Sequence, residues 1–200
     1  MCANISHSYE YGYTAGKLAA DWLNTNCSAS QTVACALLTK PQSLAVIDRA
    51  NGIIEGLREN CTFAQIVATK PYSDQASARE MTEQMMREHP KIRCIVGVSD
   101  MSILGAYDAL EAMNLLNEEM CLVGIDASAP VLKKIQEGTV IRGSVSQDTK
   151  GFAEVTIHAA IAAIQGNPLP ESSIKIEAVT MENVAAYLQA EAASHSTPAS

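Results

Sequence analysis

The run Val98-Ser99-Asp100-Met101-Ser102-Ile103-Leu104-Gly105-Ala106-Tyr107-Asp108-Ala109-Leu110, followed by Cys121-Leu122-Val123-Gly124-Ile125-Asp126, decides the fold. Each piece reads as a continuous apolar strand that ends on polar residues. The first strand feeds a helix in which Gly105 and Ala106 permit close packing. Strands that are apolar throughout are buried on both faces, which is the mark of a parallel sheet covered by helices. Polar groups gathered at the carboxyl ends of such strands are where open α/β sheets bind small molecules.

Working outward, helices and strands alternate along the whole chain. Residues 12–24 carry Ala15, Leu18, Ala19, Trp22 and Leu23 at helical spacing. Thr32–Leu38 reads as a strand, Leu44–Glu59 as a helix and Phe63–Ala68 as a strand. Ser73–Glu88 is an amphipathic helix with Ser73 as its expected N-cap, stopped by Pro90. Then come a strand over Ile92–Val98, a helix over Ser102–Met113, a strand over Met120–Ile125 and a helix over Pro130–Gln136 closed by Gly138. Val140–Val145 is a strand, Phe152–Ile164 a long apolar helix, Ile174–Ala178 a last strand and Glu182–Gln189 a short helix. Residues 190–200 are small and polar and read as a fraying tail. The pattern alone gives a doubly wound α/β fold: a parallel sheet in a three-layer α/β/α arrangement.

Composition narrows the function. Hydrophobic residues make up 48% of the 200, so a core is available, but aromatics are only 4%, so that core must be aliphatic and alanine-rich. The net charge of −8, without a cluster of Lys or Arg, argues against nucleic acid as a partner of this segment. No apolar run reaches the roughly 18 residues of a membrane span. The first residues, Met1 to Ser8, lack a basic n-region and an apolar h-region, so they do not read as a signal peptide. The six cysteines include no C-x-x-C pair, which removes the usual zinc and redox motifs. Cys35, Cys94 and Cys121 fall inside apolar strands and read as small buried hydrophobes. Cys2, Cys27 and Cys61 lie near element ends, where either exposure or burial is open. No nucleophile elbow, P-loop or G-x-G-x-x-G is present, and the four histidines pair with no nucleophile motif. We therefore expect no enzyme, no metal and no cofactor.

Several short pieces, in order, resemble the sugar-binding proteins of the periplasmic binding protein type 1 fold. They are Ser8-Tyr9-Glu10-Tyr11-Gly12 with Ala15-Gly16-Lys17-Leu18-Ala19, then Arg49-Ala50-Asn51-Gly52 as an R-x-x-G signature. His89-Pro90-Lys91-Ile92, Ile135-Gln136-Glu137-Gly138, Val145-Ser146-Gln147 with Gly151, and Thr180-Met181-Glu182-Asn183-Val184 follow. Each is weak alone; their order and spacing carry the resemblance, which runs from Ile5 to about Leu188.

The resemblance implies a two-lobed protein with ligand held between the lobes, of which this chain is essentially the second lobe. It implies residues 1–146 as that lobe, 147–172 as a return segment belonging to the mostly missing first lobe, 173–189 as a third crossover with the C-terminal strand and helix, and 190–200 as the tail. The helix Phe152–Ile164 would then lose its usual partner, and its apolar surface leads us to expect a possible homodimer. The implied function is that of a solute-binding protein of a bacterial ABC transporter, extracytoplasmic in its parent, with a sugar or sugar-like ligand and a membrane permease as partners. The same fold serves as the effector-binding domain of a LacI-type transcription regulator and as a sensor ectodomain.

The resemblance also implies site residues. Arg49 is a ligand arginine whose planar fork suits hydroxyls, or a solvated arginine at a helix start. Asp126 is a carboxylate for paired hydroxyls, or the N-cap of the helix that begins near Pro130. Gln147 offers both a donor and an acceptor to a polyol, or satisfies backbone at a hinge. Ser99 stands where the family usually has Asn, and reaches a ligand only through water. Asp100 beside it is read as a helix cap. Ser73 occupies a position where some members carry a stacking aromatic; Tyr72 next to it either takes that role or covers the loop. Ser8-Tyr9 replaces an Asp-Asn pair. These departures leave the ligand's identity open.

Overall fold

The computed structural model describes residues 7–41, 43–167 and 175–195. In order, the elements are α1 (Ser8–Asn26), β1 (Val33–Thr39), α2 (Leu44–Asn60), β2 (Ala64–Pro71), α3 (Gln75–Glu88), β3 (Ile92–Gly97), α4 (Asp100–Ala112), β4 (Cys121–Ile125), α5 (Ala129–Gln136), β5 (Ile141–Gln147), α6 (Thr149–Gln165), β6 (Ile176–Thr180) and α7 (Val184–His195). Cys2, the expected strand start at Ile174 and the end of the tail lie outside the described residues.

The six strands form one sheet in the order β2-β1-β3-β4-β5-β6. The first five are parallel. From β1 the chain crosses to β2 on one side, and from β3 it proceeds to β4 on the other, so the strand order reverses between β1 and β3. That reversal opens a crevice at the carboxyl ends of these two strands. The last strand corrects the all-parallel expectation: β6 pairs with β5 antiparallel, with Gln147 opposite Ile176 and Gly143 opposite Thr180. A parallel return needs its connecting helix to pack back across the sheet. α6 packs substantially against no other described element, so the chain re-enters at the carboxyl end of β5 and runs the other way.

The core is aliphatic and alanine-rich, as composition required. Leu37, Leu38, Ile95, Leu122 and Ile125 fill the sheet, with Ala15, Ala19 and Ala20 of α1 against it. Cys35, Cys94 and Cys121 are fully buried and lie side by side on β1, β3 and β4. Cys61, at the end of α2, is buried as well and belongs to the core, with its backbone N–H on Leu57 O. Cys27 is half-buried.

Glycine sets the approach of α1 and α2. A Cβ on Gly12 would lie 1.9 Å from Arg49 O, on Gly16 2.2 Å from Ile53 O, on Gly52 2.1 Å from Tyr9 O and on Gly56 2.3 Å from Tyr13 O. Only hydrogen at all four positions lets these backbones touch. Gly105 does the same for α4 against α3, as the sequence suggested: a Cβ there would stand 2.4 Å from Gln75 O.

One expected cap moves and another holds. The N-cap of α3 is Asp74, not Ser73: its carboxylate accepts from Ser77 N at 2.8 Å while Ser77 Oγ accepts from Asp74 N at 3.0 Å, a reciprocal capping box. The carboxylate reaches the N3 amide one position later than the pattern suggested. Gly138 closes α5 with φ +72°, its N–H on Ile135 O, as expected. The Thr180-Asn183 piece is a local turn in which Asn183 Oδ1 accepts from Thr180 N at 2.8 Å and Nδ2 donates to Ala178 O at 2.9 Å. Among the described residues, no helix is long and apolar enough to cross a membrane.

Candidate functional site

The crevice at the strand reversal is lined by Lys40 after β1, Val46 and Arg49 of α2, Tyr72 after β2, Val98 and Ser99 after β3, Met101 of α4, and Asp126 after β4. Its volume is about 190 Å³. That is smaller than the roughly 300–1,000 Å³ of a complete small-molecule pocket.

Arg49 lies in the second turn of α2, not in the loop before it. Its backbone is pressed against Gly12, and its guanidinium passes 5.9 Å from the centre of the Tyr11 ring. Nη1 donates to Val98 O at 2.8 Å and stands 3.7 Å from Asp126 Oδ1. The buried Nε has no hydrogen-bond partner. The side chain is only 13% exposed, so it is a fixed group of the crevice wall and not a solvated helix-start arginine.

Asp126 follows β4 and holds its place by donating its N–H to Val145 O at 2.8 Å. Its φ is 128° and that of Ala127 is 49°, a pair of conformations that L side chains rarely adopt. The side chain does not cap α5; the N-cap there is Ser128. It turns instead toward Arg49 and accepts from Gln147 Nε2 on Oδ1. Burial pushes the Asp126 carboxyl above its ordinary value, while Arg49 and then Gln147 pull it back. Arg49, Asp126 and Gln147, far apart in sequence, thus form one polar cluster at the carboxyl edge.

Ser99 and Tyr72 make a second pair: Tyr72 OH and Ser99 Oγ lie 2.7 Å apart. The Tyr72 ring is 4% exposed, with Lys40 Nζ 5.9 Å from its centre, and burial raises its phenol pKa. Ser73 is not brought to the crevice. It is exposed and joins the capping network of α3, with Oγ 3.0 Å from Asp74 Oδ2, while its carbonyl accepts from Lys40 Nζ at 3.0 Å.

Asp100 corrects the cap reading. It opens α4, but no side chain caps that helix. Its carboxylate is buried and accepts from Ser128 N at 2.6 Å, Ser128 Oγ at 2.8 Å and Ser144 Oγ at 2.6 Å. The space it fills exists because residue 124 is glycine: a Cβ there would be 2.2 Å from Asp100 Oδ1. Burial outweighs the three donors and raises the Asp100 pKa to about 6.

Sequence reasoning missed Lys40, Val46 and Met101. Lys40 carried a usable signal, since it directly follows a strand that ends in the crevice. Val46 and Met101 read as ordinary helix residues. Among the described residues, no group of three or more His, Cys, Asp or Glu is placed to hold a metal ion. A larger cleft, about 610 Å³, lies at the opposite edge of the sheet between Cys27, Val33, Arg93 and Met120. It too is polar, with Arg93 Nη2 3.7 Å from Glu119 Oε2, but it lies away from the carboxyl ends of the strands and holds none of Arg49, Asp126 or Ser99.

Solved structures share this fold. One from Mycobacterium smegmatis, in complex with β-D-fucofuranose, is 23% identical with a TM-score of 0.81, covering 94% of this chain and 62% of that one. An ABC transporter solute-binding protein from Bacillus halodurans C-125 with bound myo-inositol is 27% identical with a TM-score of 0.78, covering 91% and 61%. An ABC transporter periplasmic solute-binding protein from Actinobacillus succinogenes 130z with bound D-allose is 20% identical with a TM-score of 0.79, covering 90% and 62%. The chain therefore spans about three fifths of the length of these proteins. No curated protein matches it in sequence. The family described as periplasmic binding protein domain matches residues 4–168, and the chain belongs to that family.

Proposed function

We propose that this chain supplies one wall of a sugar- or cyclitol-binding site in the solute-binding component of an ABC transporter, with Arg49, Asp126 and Gln147 as the ligand groups. The observation that carries the reading is the convergence of these three side chains at the carboxyl edge of the sheet, Arg49 and Asp126 lining the crevice and Gln147 meeting Asp126 from the end of β5. A guanidinium, a carboxylate and a carboxamide together donate to and accept from adjacent hydroxyls, which is what a ring polyol presents. The solute-binding relatives with bound D-allose and myo-inositol support the ligand class. Ser99 and Tyr72 border the same crevice as further contacts, and Lys40 adds a positive charge. Ser73 has the weakest case. The parent protein acts outside the cytoplasm and delivers its ligand to a membrane permease. A crevice below the size of a complete pocket gives weak binding by this chain alone.

The test is an NMR titration of the chain with D-allose and with myo-inositol. We expect amide shifts confined to residues near Ser99, Asp126 and Gln147, with a Kd of millimolar order, about −4 kcal/mol. Micromolar affinity would show a complete site; no shift at these residues with any monosaccharide or cyclitol would overturn the reading.

A further inference from the structure

We infer that Asp100 is a positioning residue, which through Ser144 and the Ser128 N–H holds the Asp126–Ala127 turn in its left-handed conformation and so aims Asp126 at Arg49. Asp126 and Ala127, at φ 128° and 49°, sit in backbone conformations that no L residue favours, so something must hold them there. The two N–H groups that follow Asp126 are both secured from the Asp100 carboxylate. Ser128 N donates to Oδ2 at 2.6 Å. Ala127 N donates at 3.0 Å to Ser144 Oγ, which in turn donates to Oδ1 at 2.6 Å. Each carboxylate oxygen thus fixes one consecutive amide, one directly and one through a hydroxyl.

The elements involved are separate. Asp100 opens α4, Ser144 lies in β5 and the turn leaves β4, so the carboxylate ties three neighbouring carboxyl-edge segments. Gly124 on β4 leaves the room it occupies. Asp100 itself does not line the crevice, so its effect on a ligand is exerted through Asp126. A buried carboxylate is costly to desolvate, and here three donors meet it. The importance of the device rests on the reading of Asp126 as a ligand group; its geometry does not, and is tested without ligand.

The experiment is amide hydrogen exchange by NMR on the ligand-free chain, comparing the wild type with Ser144→Ala, Asp100→Ala and Asp100→Asn. Ser144→Ala frees the Ala127 N–H, and its exchange should rise about tenfold or more, while Leu122 and Val123 in β4 stay as they were. Asp100→Ala should free both Ala127 and Ser128. Asp100→Asn should restore protection at both, because an amide still offers an oxygen to Ser128 N and a nitrogen to Ser144 Oγ. If Asp100→Ala does not fold, Ser144→Ala with Asp100→Asn decides the question. Unchanged exchange at Ala127 in Ser144→Ala overturns the inference, and so does a rise shared equally by the β4 amides, which would mean a general loss of stability. With myo-inositol as probe, Ser144→Ala should weaken any wild-type binding, though Ser144 is no contact. Absence of wild-type binding would count against the proposed function and leave the exchange result readable.

Discussion

Arg49 and Asp126 meet at 3.7 Å across the crevice, although one comes from the second turn of α2 and the other from the end of β4. The α1–α2 glycine contacts set the height of Arg49, and the left-handed turn sets the direction of Asp126. Breaking this pair separates binding from folding. Arg49→Ala and Asp126→Ala should each weaken polyol binding in a complete parent protein by about 2–5 kcal/mol, the cost of losing one partner of a desolvated charged hydrogen bond. The fold should lose about 1 kcal/mol or less in Asp126→Ala, because Asp126 keeps 37% of its side chain in water, and about 1–3 kcal/mol in Arg49→Ala, which also removes the bond to Val98 O. Calorimetric titration beside thermal melting checks both. A melting point that collapses while the folded fraction binds normally would make the pair structural.

Acidification should stabilise the fold over a defined range. The Asp100 carboxyl is raised to about 6 in the fold from its ordinary 3.8, so its protonated form is the one the fold prefers. Stability from this group is fully present below about pH 4 and is lost as pH rises through about 6. Asp126 is shifted in the same direction. The melting temperature should therefore climb between pH 7.5 and pH 5, with Asp100 supplying on the order of 1–1.5 kcal/mol over that range. Asp74 and Glu88, whose carboxyls are lowered by capping and by Gln84 and Lys70, act oppositely and reverse the trend at lower pH. In Asp100→Asn the rise should shrink and stability at pH 7.5 should increase. A melting temperature that falls steadily from pH 7.5 downward would contradict the assignment.

The glycine seam makes a sharper stability prediction. Gly52→Ala places a methyl 2.1 Å from Tyr9 O, and Gly16→Ala places one 2.2 Å from Ile53 O. Backbone cannot yield as a flexible side chain does, so each should cost at least the roughly 1–3 kcal/mol of an overpacked core, measured by urea unfolding. Gly166→Ala is a useful contrast. Nothing lies within 4 Å of its Cβ, and only its φ of +72° resists the change, so about 1 kcal/mol is expected. Equal losses at Gly52 and Gly166 would mean that helix approach is not what these residues serve.

The sequence carried the alternation of elements well, because buried parallel strands are apolar throughout and cannot be mistaken for amphipathic ones. The antiparallel β6 was invisible: Ile176–Thr180 reads as a strand in either direction, and its direction depends on where α6 packs. Arg49, Asp126 and Gln147 were legible only singly, as positions that the resemblance marked; that Arg49 and Gln147 both meet Asp126 follows from the strand order. The role of Asp100 was not legible, since it depends on Ser128 and Ser144, 28 and 44 residues away, and on the room left by Gly124. The four-glycine seam was missed as well. Gly12, Gly16, Gly52 and Gly56 form two G-x-x-x-G pairs, a usable signal for close helix approach.

The face of α6 gives the last prediction. Ile157, Ile161 and Ile164 follow one stripe of the helix and are 58%, 46% and 87% exposed, and α6 packs substantially on no other described element. Side chains this open contribute little to the fold they hang from, so Ile157→Asp and Ile161→Asp should each change unfolding free energy by no more than about 0.5 kcal/mol. Their contribution should appear between molecules instead. Covering such a stripe is worth roughly 1.5–3 kcal/mol for each large aliphatic side chain fully buried, enough to favour association of two copies at micromolar concentration. Sedimentation should show a concentration-dependent dimer for the wild type and a monomer for the double aspartate variant, with the same melting temperature for both once the wild type is diluted to monomer. A wild type that stays monomeric throughout the micromolar range, or a double variant that loses several kcal/mol of stability, would show that α6 folds back on the rest of its own chain in solution.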